Sequence, residues 1–424
     1  MTDEQSPVSD HRGLPGLAGK RVFIETYGCR YNFGTTAKLT GILNQMGCTV
    51  SDTIEGADAV IVNTCSVVSS TERRMLRRLS ELRDHRLYVT GCMPEVQRDV
   101  ILAVCNPVFI RDADIQEQYR HSAPVATGST GIVQIAQGCL GSCSYCITRL
   151  ARGALKSVPL AEIRSQVAAF ADAGAAEIQL TAQDAGAWGR DCGFALPNLL
   201  HALEDPKGNF RLRVGMMNPA TVIDILEDLV GAFSAENLFR FIHVPVQSGS
   251  DRILRKMNRG YCCEDFEQIV TAFRRRYPDI TVATDMIAGF PGECDEDHRL
   301  SLDLIRRLRF DKVNVTRYSP RPYTPAYSYP DTPDAVKKER SRSLQACAEE
   351  VAVALHEQHV GGVLPFIVTE HIRKGTVMAR APNYLGIVLP GDLPPGFSGT
   401  AEILEGRTYF LKGKHILTPG VSSE

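Results

Sequence analysis

The stretch GIVQIAQGCLGSCSYCITRLARG, Gly131 to Gly153, decides how the rest of the chain is read. Its apolar start, IVQIAQ, has the pattern of a buried strand. The strand runs into a loop with three cysteines, Cys139, Cys143 and Cys146, spaced C-x3-C-x2-C. A zinc site wants four ligands, usually from paired C-x2-C units, and this chain holds one such unit. A 4Fe–4S cube also has four corners to fill. Three thiolates on one loop leave one corner for a ligand from elsewhere or for a small molecule.

Downstream of the loop, strands and helices alternate. AEIRSQVAAFADAG, ATVIDILEDLVGAF and CEDFEQIVTAFRRRY have helical periodicity. EIQLTAQD, RLRVGMM, LFRFIHVPVQ, ITVATDMIAGF and KVNVTRYS read as strands. Counting IVQIAQ, six strand–helix units are too many for a small open sheet and too few for a closed eight-fold barrel. They predict a partial, open (β/α)6 barrel, with its chemistry at the carboxyl ends of the strands.

Upstream, RVFIETYG, ADAVIVNTC and RLYVTGC read as strands, separated by the helices TTAKLTGILNQMG and SSTERRMLRRLSELRDH. This is the pattern of an α/β, doubly wound parallel sheet. Ligands of such sheets bind beyond the carboxyl ends of the strands, where Cys29, Cys65 and Cys92 fall. Taken singly, each reads as a small buried hydrophobe. Together they make a second set of three thiols.

Beyond a helix of about Ala335 to His359, short strands with Gly/Pro turns (GGVLPFIVTEH, TVMARAPNYLGIVLP, GTAEILEGR, YFLKGK) predict a small β-barrel. The expected divisions are a disordered tail at 1–18, an N-terminal sheet domain at 19–117, a linker at 118–130, the partial barrel at 131–357 and the small barrel at 358–418. The 424 residues carry a formal charge of −2, so any RNA contact must come from local patches. Thirteen cysteines with no export signal argue for reduced thiols and metal ligation over disulfides. No apolar run is long enough for a membrane span, so the chain reads as cytoplasmic.

The blocks TYGCRYN, NTCSVVSSTE, TGCMPE, CLGSCSYCITRLARG, HVPVQSGS, GFPGE and NVTRYSPRPYTPA resemble the radical S-adenosylmethionine methylthiotransferases from about Arg21 to Lys414. CLGSCSYC with RLARG, RVGMMNP and the last block is most similar to the archaeal and eukaryotic branch. That branch acts on threonylcarbamoyladenosine beside a tRNA anticodon. The resemblance makes the last barrel TRAM-like. It implies two 4Fe–4S clusters, one on Cys139, Cys143 and Cys146 that works with S-adenosylmethionine, and an auxiliary one on Cys29, Cys65 and Cys92 that carries sulfur. It further implies a tRNA substrate, an electron donor such as ferredoxin or flavodoxin, a sulfur donor, no membrane attachment and a monomeric chain.

For S-adenosylmethionine contacts the expected residues are Tyr145, Gln183, Asp184, Asn218, Gln247 and Ser248, although LTAQD departs from the GGE-like stretch usual in the superfamily. Any of these polar residues also reads as a plain strand-end cap. Met286, Ile287 and Ala288 read as barrel packing and His243 as a packed strand-end histidine. For RNA the expected contacts are Arg149, Arg152, Arg317, Tyr318, Arg321, Arg73 and Arg77, with Arg74 and Arg78 on the same helix. Arg274 to Arg276 and Lys337 to Arg342 read as surface helix charges. Cys48, Cys105, Cys192, Cys262, Cys263, Cys294 and Cys347 have no ligand spacing. Three other functions fit the same residues: 2-methylthiolation of isopentenyladenosine, methylthiolation of an aspartate on a small-subunit ribosomal protein, and non-catalytic RNA binding by an iron–sulfur protein.

Overall fold

A computed structural model describes residues 14–119, 125–126, 129–204 and 210–416. The chain divides into two compact units, one of Met1–Val125 with Leu150–Arg152, the other of Ala126–Arg149 with Gly153–Glu424.

The first unit is a parallel sheet of β1 (Arg21–Thr26), β2 (Thr49–Ser51), β3 (Ala59–Thr64), β4 (Leu87–Gly91) and β5 (Val108–Phe109), in the order β2-β1-β3-β4-β5. Strand β3 shows why this sheet must be covered twice. All six of its residues are buried. Because side chains alternate across a strand, Ala59 and Ile61 join the helices Arg30–Gln45 and Asp112–Tyr119 on one face. Val60 and Val62 join Met75, Leu79 and Leu82 on the other. A parallel sheet buried on both faces reads as a continuous apolar run, which is what AVIV is.

Two expectations about boundaries change here. Of the expected tail, residues 1–13 lie outside the described residues, but Leu14–Leu17 is a turn of 3₁₀ helix with Leu14 and Leu17 buried. Both pack against Leu39, Ile42 and Leu43, so apolar burial holds a segment that its Pro and Gly disguise. The expected linker begins inside the helix Asp112–Tyr119, where Ile115 and Tyr119 are buried four residues apart. One i,i+4 pair is too short a pattern to show as periodicity.

Among its described residues the second unit carries six parallel strands. They are β6 (Thr130–Gln134), β9 (Glu177–Thr181), β10 (Arg211–Val214), β11 (Phe241–His243), β12 (Thr281–Ala288) and β13 (Lys312–Arg317), with the short hairpin pair β7 (Ala136–Gln137) and β8 (Lys156–Ser157) beside them. They form two three-stranded sheets, β6-β9-β10 and β11-β12-β13. A parallel bridge from Leu212 to Leu238, just before β11, links the two sheets. The core between strands and helices is a single large cluster that includes Trp188, Phe170, Phe233, Phe266 and Phe273.

The long helix Asp334–His356 leads into a closed barrel of β14 (Val363–Arg373), β15 (Thr376–Arg380), β16 (Gly386–Pro390), β17 (Ser398–Gly406) and β18 (Leu411–Ile416). This small barrel belongs to the second unit. It docks on the amino ends of the parallel strands: Tyr384 Oη donates to Glu177 Oε1 at 2.7 Å, and its ring lies 4.8 Å from those of Phe239 and Phe241. The carboxyl ends are left to the cysteine loop. The expected surface charges on Asp334–His356 include two exceptions. Lys337 is buried against Asp331, and Arg340 is buried against Glu293 and Asp295, so these two pin the helix down. Among the described residues no helix is long and apolar enough to cross a membrane.

Candidate functional site

In the first unit, β1, β3 and β4 are neighbours in register, so the residues just past their carboxyl ends converge. Cys29 caps the helix Arg30–Gln45, Cys65 follows Thr64, and Cys92 caps the turn Met93–Val96. The Cys65 thiol feels the charge of Cys29 and Cys92, and the Cys92 thiol that of Cys29. Side-chain amides lock the loops after β1 and β3 together, and Cys92 N donates to Thr64 O at 2.9 Å to tie in the third. Asn32 Nδ2 donates to Tyr27 O at 2.7 Å and Thr64 O at 2.9 Å, and Asn63 Nδ2 donates to Asn32 O at 2.7 Å. Gly28 has φ +104°, and a Cβ there would sit 2.7 Å from Cys65 Cβ and 2.9 Å from its Sγ. Only glycine leaves that space beside the sulfur. Burial pushes the Cys65 thiol up to about 11 and raises that of Cys92.

Arg152 is expected on RNA, but its side chain is 2% exposed and it belongs to the first unit. Its Nη1 donates to Asp112 Oδ1 at 3.0 Å and its Nη2 to Asn32 Oδ1 at 2.9 Å. It stacks on the Tyr31 ring, and its charge lowers the Cys92 thiol against the effect of burial. A guanidinium held on all sides cannot reach a phosphate, so the RNA expectation is wrong for Arg152. It is instead a buried cation at the three thiols.

In the second unit the loop of Cys139, Cys143 and Cys146 springs from the carboxyl end of β6. Gly138 has φ +78°, and a Cβ there would lie 2.0 Å from Ala154 O, so the loop can start in this way only with glycine. The Cys139 sulfur accepts the Gly141 N–H at 3.2 Å, and Cys146 N donates to Cys143 O at 3.2 Å. At Gly141 an added Cβ would lie 3.3 Å from Cys139 Sγ and 3.7 Å from Cys143 Sγ. The loop is pinned from outside as well. Ser144 N and Oγ donate to Met257 O and Lys256 O, Asn258 Nδ2 donates to Ser142 O, and Ala326 N donates to Ser144 O at 2.7 Å. Arg149, exposed, spends Nη1 on Gly141 O at 2.9 Å and Leu140 O at 3.3 Å. Burial raises the Cys139 thiol to about 11 and also raises Cys146.

The remaining expected ligands divide. Tyr145 is partly buried, its ring edge-on to Phe290 at 6.2 Å. Gln183 Oε1 accepts Gly138 N–H at 2.7 Å, so it supports the loop. Asp184 is buried and takes donors from Gly186 N, Asn218 N and Thr221 Oγ1. It is a brace, with its carboxyl pushed up to about 6 by burial. Asn218 caps the turn Pro219–Val222. Gln247, at φ +71°, bonds β12 through its backbone, and Ser248 is buried against Ser250 N. Met286 and Ala288 are buried, and His243 Nε2 meets Asp285 Oδ1 at 2.8 Å.

Of the other expected RNA contacts, Arg73, Arg74, Arg77 and Arg317 are exposed, whereas Arg78 pairs with Glu25. Tyr318 and Arg321 are buried, and the Tyr318 hydroxyl donates to Ala326 O at 2.9 Å. That tyrosine packs on Phe290 and cannot stack on a base. The exposed rings of this segment are Tyr323, Tyr327 and Tyr329, which the motif reading passed over. It also passed over Arg259, whose Nη1 lies 3.1 Å from Cys143 Sγ. No spacing rule marks a lone arginine 116 residues from its partner.

Among the described residues no three His, Cys, Asp or Glu side chains stand close enough for one metal ion. A cubane is wider, because its cysteines bind three different irons. Two trios of soft thiols, each beside a glycine that leaves room at the sulfur, fit such clusters.

Comparisons with known proteins agree. The Radical SAM superfamily matches residues 133–305, and the family described as "Uncharacterized protein family UPF0004" matches residues 21–109. A solved structure of the radical S-adenosylmethionine methyltransferase TsrM from Kitasatospora setae, with cobalamin and a [4Fe-4S] cluster bound, superposes with a TM-score of 0.51 at 17% identity, over 73% of this chain and 74% of that one. The fold is thus that of a radical S-adenosylmethionine enzyme. A Pyrococcus horikoshii protein named "Probable threonylcarbamoyladenosine tRNA methylthiotransferase" is 38% identical over 92% of this chain and 98% of its own. The human "Threonylcarbamoyladenosine tRNA methylthiotransferase" is 30% identical over 99% of this chain and 78% of its own. The chain belongs to the threonylcarbamoyladenosine tRNA methylthiotransferase family.

Proposed function

We propose that this chain is the transferase that inserts sulfur and a methyl group at C2 of N6-threonylcarbamoyladenosine at position 37 of tRNA. Cys139, Cys143 and Cys146 hold the radical-generating 4Fe–4S cluster and Cys29, Cys65 and Cys92 the auxiliary one. When bound, the clusters and two molecules of S-adenosylmethionine supply the electron, the radical, the sulfur and the methyl group. The target C–H has no acid or base handle, so no side chain needs to act as a proton acceptor on it.

The chain's own residues do the holding. Gln183, Ser144 and Arg149 fix the cysteine loop, and Asp184 fixes the Asn218 turn beside it. Tyr145, Gln183, Asn218, Gln247 and Ser248 remain the residues through which S-adenosylmethionine is met, Gln183 by way of the loop it steadies. RNA contact falls to exposed Arg73, Arg77, Arg149 and Arg317, and to the ring of Tyr323, which is 76% exposed. Tyr323 stands at φ +67°, a strained backbone for a bulky residue, in a loop tied to Ser144 through Ala326. Aromatic rings held out in this way suit unstacked bases of a single-stranded loop. The TRAM-like barrel, docked on the amino ends of the strands, is an outlying RNA anchor. A ferredoxin or flavodoxin supplies electrons, and a separate donor renews the sulfur.

The observation that carries this reading is the pair of three-thiol sets at carboxyl ends of parallel strands in a chain with end-to-end relatives of that name. Nucleoside mass spectrometry of tRNA from cells lacking the gene tests it. Loss of the 2-methylthio derivative with build-up of threonylcarbamoyladenosine is expected. Build-up of isopentenyladenosine would move the substrate, and unchanged tRNA would discard RNA as the target.

A further inference from the structure

We propose that Arg259 is a positioning residue that grips the sulfur of Cys143 and raises the reduction potential of the cluster held by Cys139, Cys143 and Cys146. This rests on the ligand assignment above and goes beyond it, since the arginine is no ligand.

The local sequence throws the side chain inward. After the helix Asp251–Lys256 the backbone turns left-handed at Asn258, φ +56°, and again at Gly260, φ +67°, with Arg259 between them. Asn258 Nδ2 fastens this turn to Ser142 O at 2.8 Å, on the cysteine loop itself. Arg259 is 9% exposed. Its Nε donates to Tyr261 Oη at 2.9 Å, its Nη1 to Cys143 Sγ at 3.1 Å, and its Nη2 to Asn218 Oδ1 at 3.1 Å and Pro245 O at 3.4 Å.

Apart from the thiol, every one of those acceptors is a neutral oxygen. The buried carboxyl of Asp184 acts on Arg259 only at a distance, with Asn218 between them. A buried cation facing neutral acceptors is costly unless a negative charge sits against it. Three thiolates on a cube make that charge. A cationic N–H donated to a ligand sulfur favours the more negative, reduced state, and hydrogen bonds to the sulfurs are among the factors that set cluster potentials. A purely structural arginine would brace Asn218 and Pro245 without changing any potential.

The test uses the full-length chain with Cys29→Ala, Cys65→Ala and Cys92→Ala, so that one cluster remains, reconstituted anaerobically with iron and sulfide. Its reduction is followed by electron paramagnetic resonance during a redox titration. At fixed potential the ratio of reduced to oxidised cluster in Arg259→Gln is expected to fall about tenfold, equal to about 59 mV for a one-electron couple. Arg259→Lys should fall between parent and Gln. A Gln variant that holds iron at the parent's midpoint overturns the inference. If the Gln variant takes up no iron, the Lys variant decides: a lowered midpoint supports the inference, and the parent's midpoint overturns it. Failure of both to load supports the grip on Cys143 where the metal-free melting curve is intact, and overturns it where that curve is lost. The ligand assignment fails separately, if Cys143→Ala in the same background keeps its iron.

Discussion

Asp112 and Arg152, forty residues apart in sequence, meet at 3.0 Å inside the first unit, with side chains 10% and 2% exposed. Their pairing satisfies a cation that would otherwise stand alone at the Cys29, Cys65 and Cys92 thiols. Asp112→Ala strands that guanidinium and is expected to cost about 3–5 kcal/mol. The double variant Asp112→Asn/Arg152→Gln should cost less than the sum of its single changes. Urea unfolding of the parent, Asp112→Ala, the two single changes and the double variant checks this.

Gly28 marks the space beside the auxiliary cysteines. Gly28→Ala drives a methyl to 2.7 Å from Cys65 Cβ at a positive φ. Reconstituted protein should hold about half the iron of the parent, since one of two equal clusters is lost. Iron analysis with a parallel thermal melt separates this from unfolding.

The two trios should fail differently. Cys143→Ala is expected to lose about half the iron and all 5′-deoxyadenosine formation. Cys65→Ala should keep that cleavage and stop sulfur insertion. Chromatography of the cleavage product, beside mass spectrometry of the tRNA, reads both. Thiolation that survives Cys65→Ala would remove the auxiliary role.

Tyr384 couples the small barrel to the strand array. Its hydroxyl donates to buried Glu177, and its ring packs between Phe239, Phe241 and Arg213. Tyr384→Phe leaves Glu177 short of a donor, at about 1–3 kcal/mol. Tyr384→Ala should cost about 3–5 kcal/mol. Denaturant midpoints give the two values.

Acid stability has a named contributor. Asp297 is buried, which alone would raise its carboxyl. Arg252, Ser250 and Cys294 N–H hold it well below the usual carboxylate range instead. A depressed folded-state value gives stability that is whole above about pH 4, the unfolded value, and is lost as pH falls below it. Asp297→Asn should be less stable at pH 7 and show a shallower fall in melting temperature from pH 4 to pH 3. Parallel slopes for the two proteins would assign the acid loss to other groups.

Much of this was legible in the residues. Continuous apolar runs such as AVIV, punctuated by helices, are a local signal of a twice-covered parallel sheet. Cysteines just past strand ends follow from that pattern, so both trios were visible before any coordinates. The errors share a cause. Arg152, Tyr318 and Arg321 stand in motifs at the right sequence positions, but burial depends on what the rest of the chain lays over them. Arg340 looks like a helix surface charge until Glu293 arrives from 47 residues away, and Lys337 until the chain just before the helix folds Asp331 back onto it.

By itself the sequence determined the main alternation of strands and helices, its order and the two sets of three thiols, because hydrophobic period and cysteine spacing are written within a few residues of one another. Only the tertiary structure decided which arginine touches which sulfur, which tyrosine faces water, and that the last barrel sits on the amino ends of the strands. Those choices depend on contacts between residues tens to hundreds of positions apart. Side-chain reach and desolvation act there, and no local pattern records them.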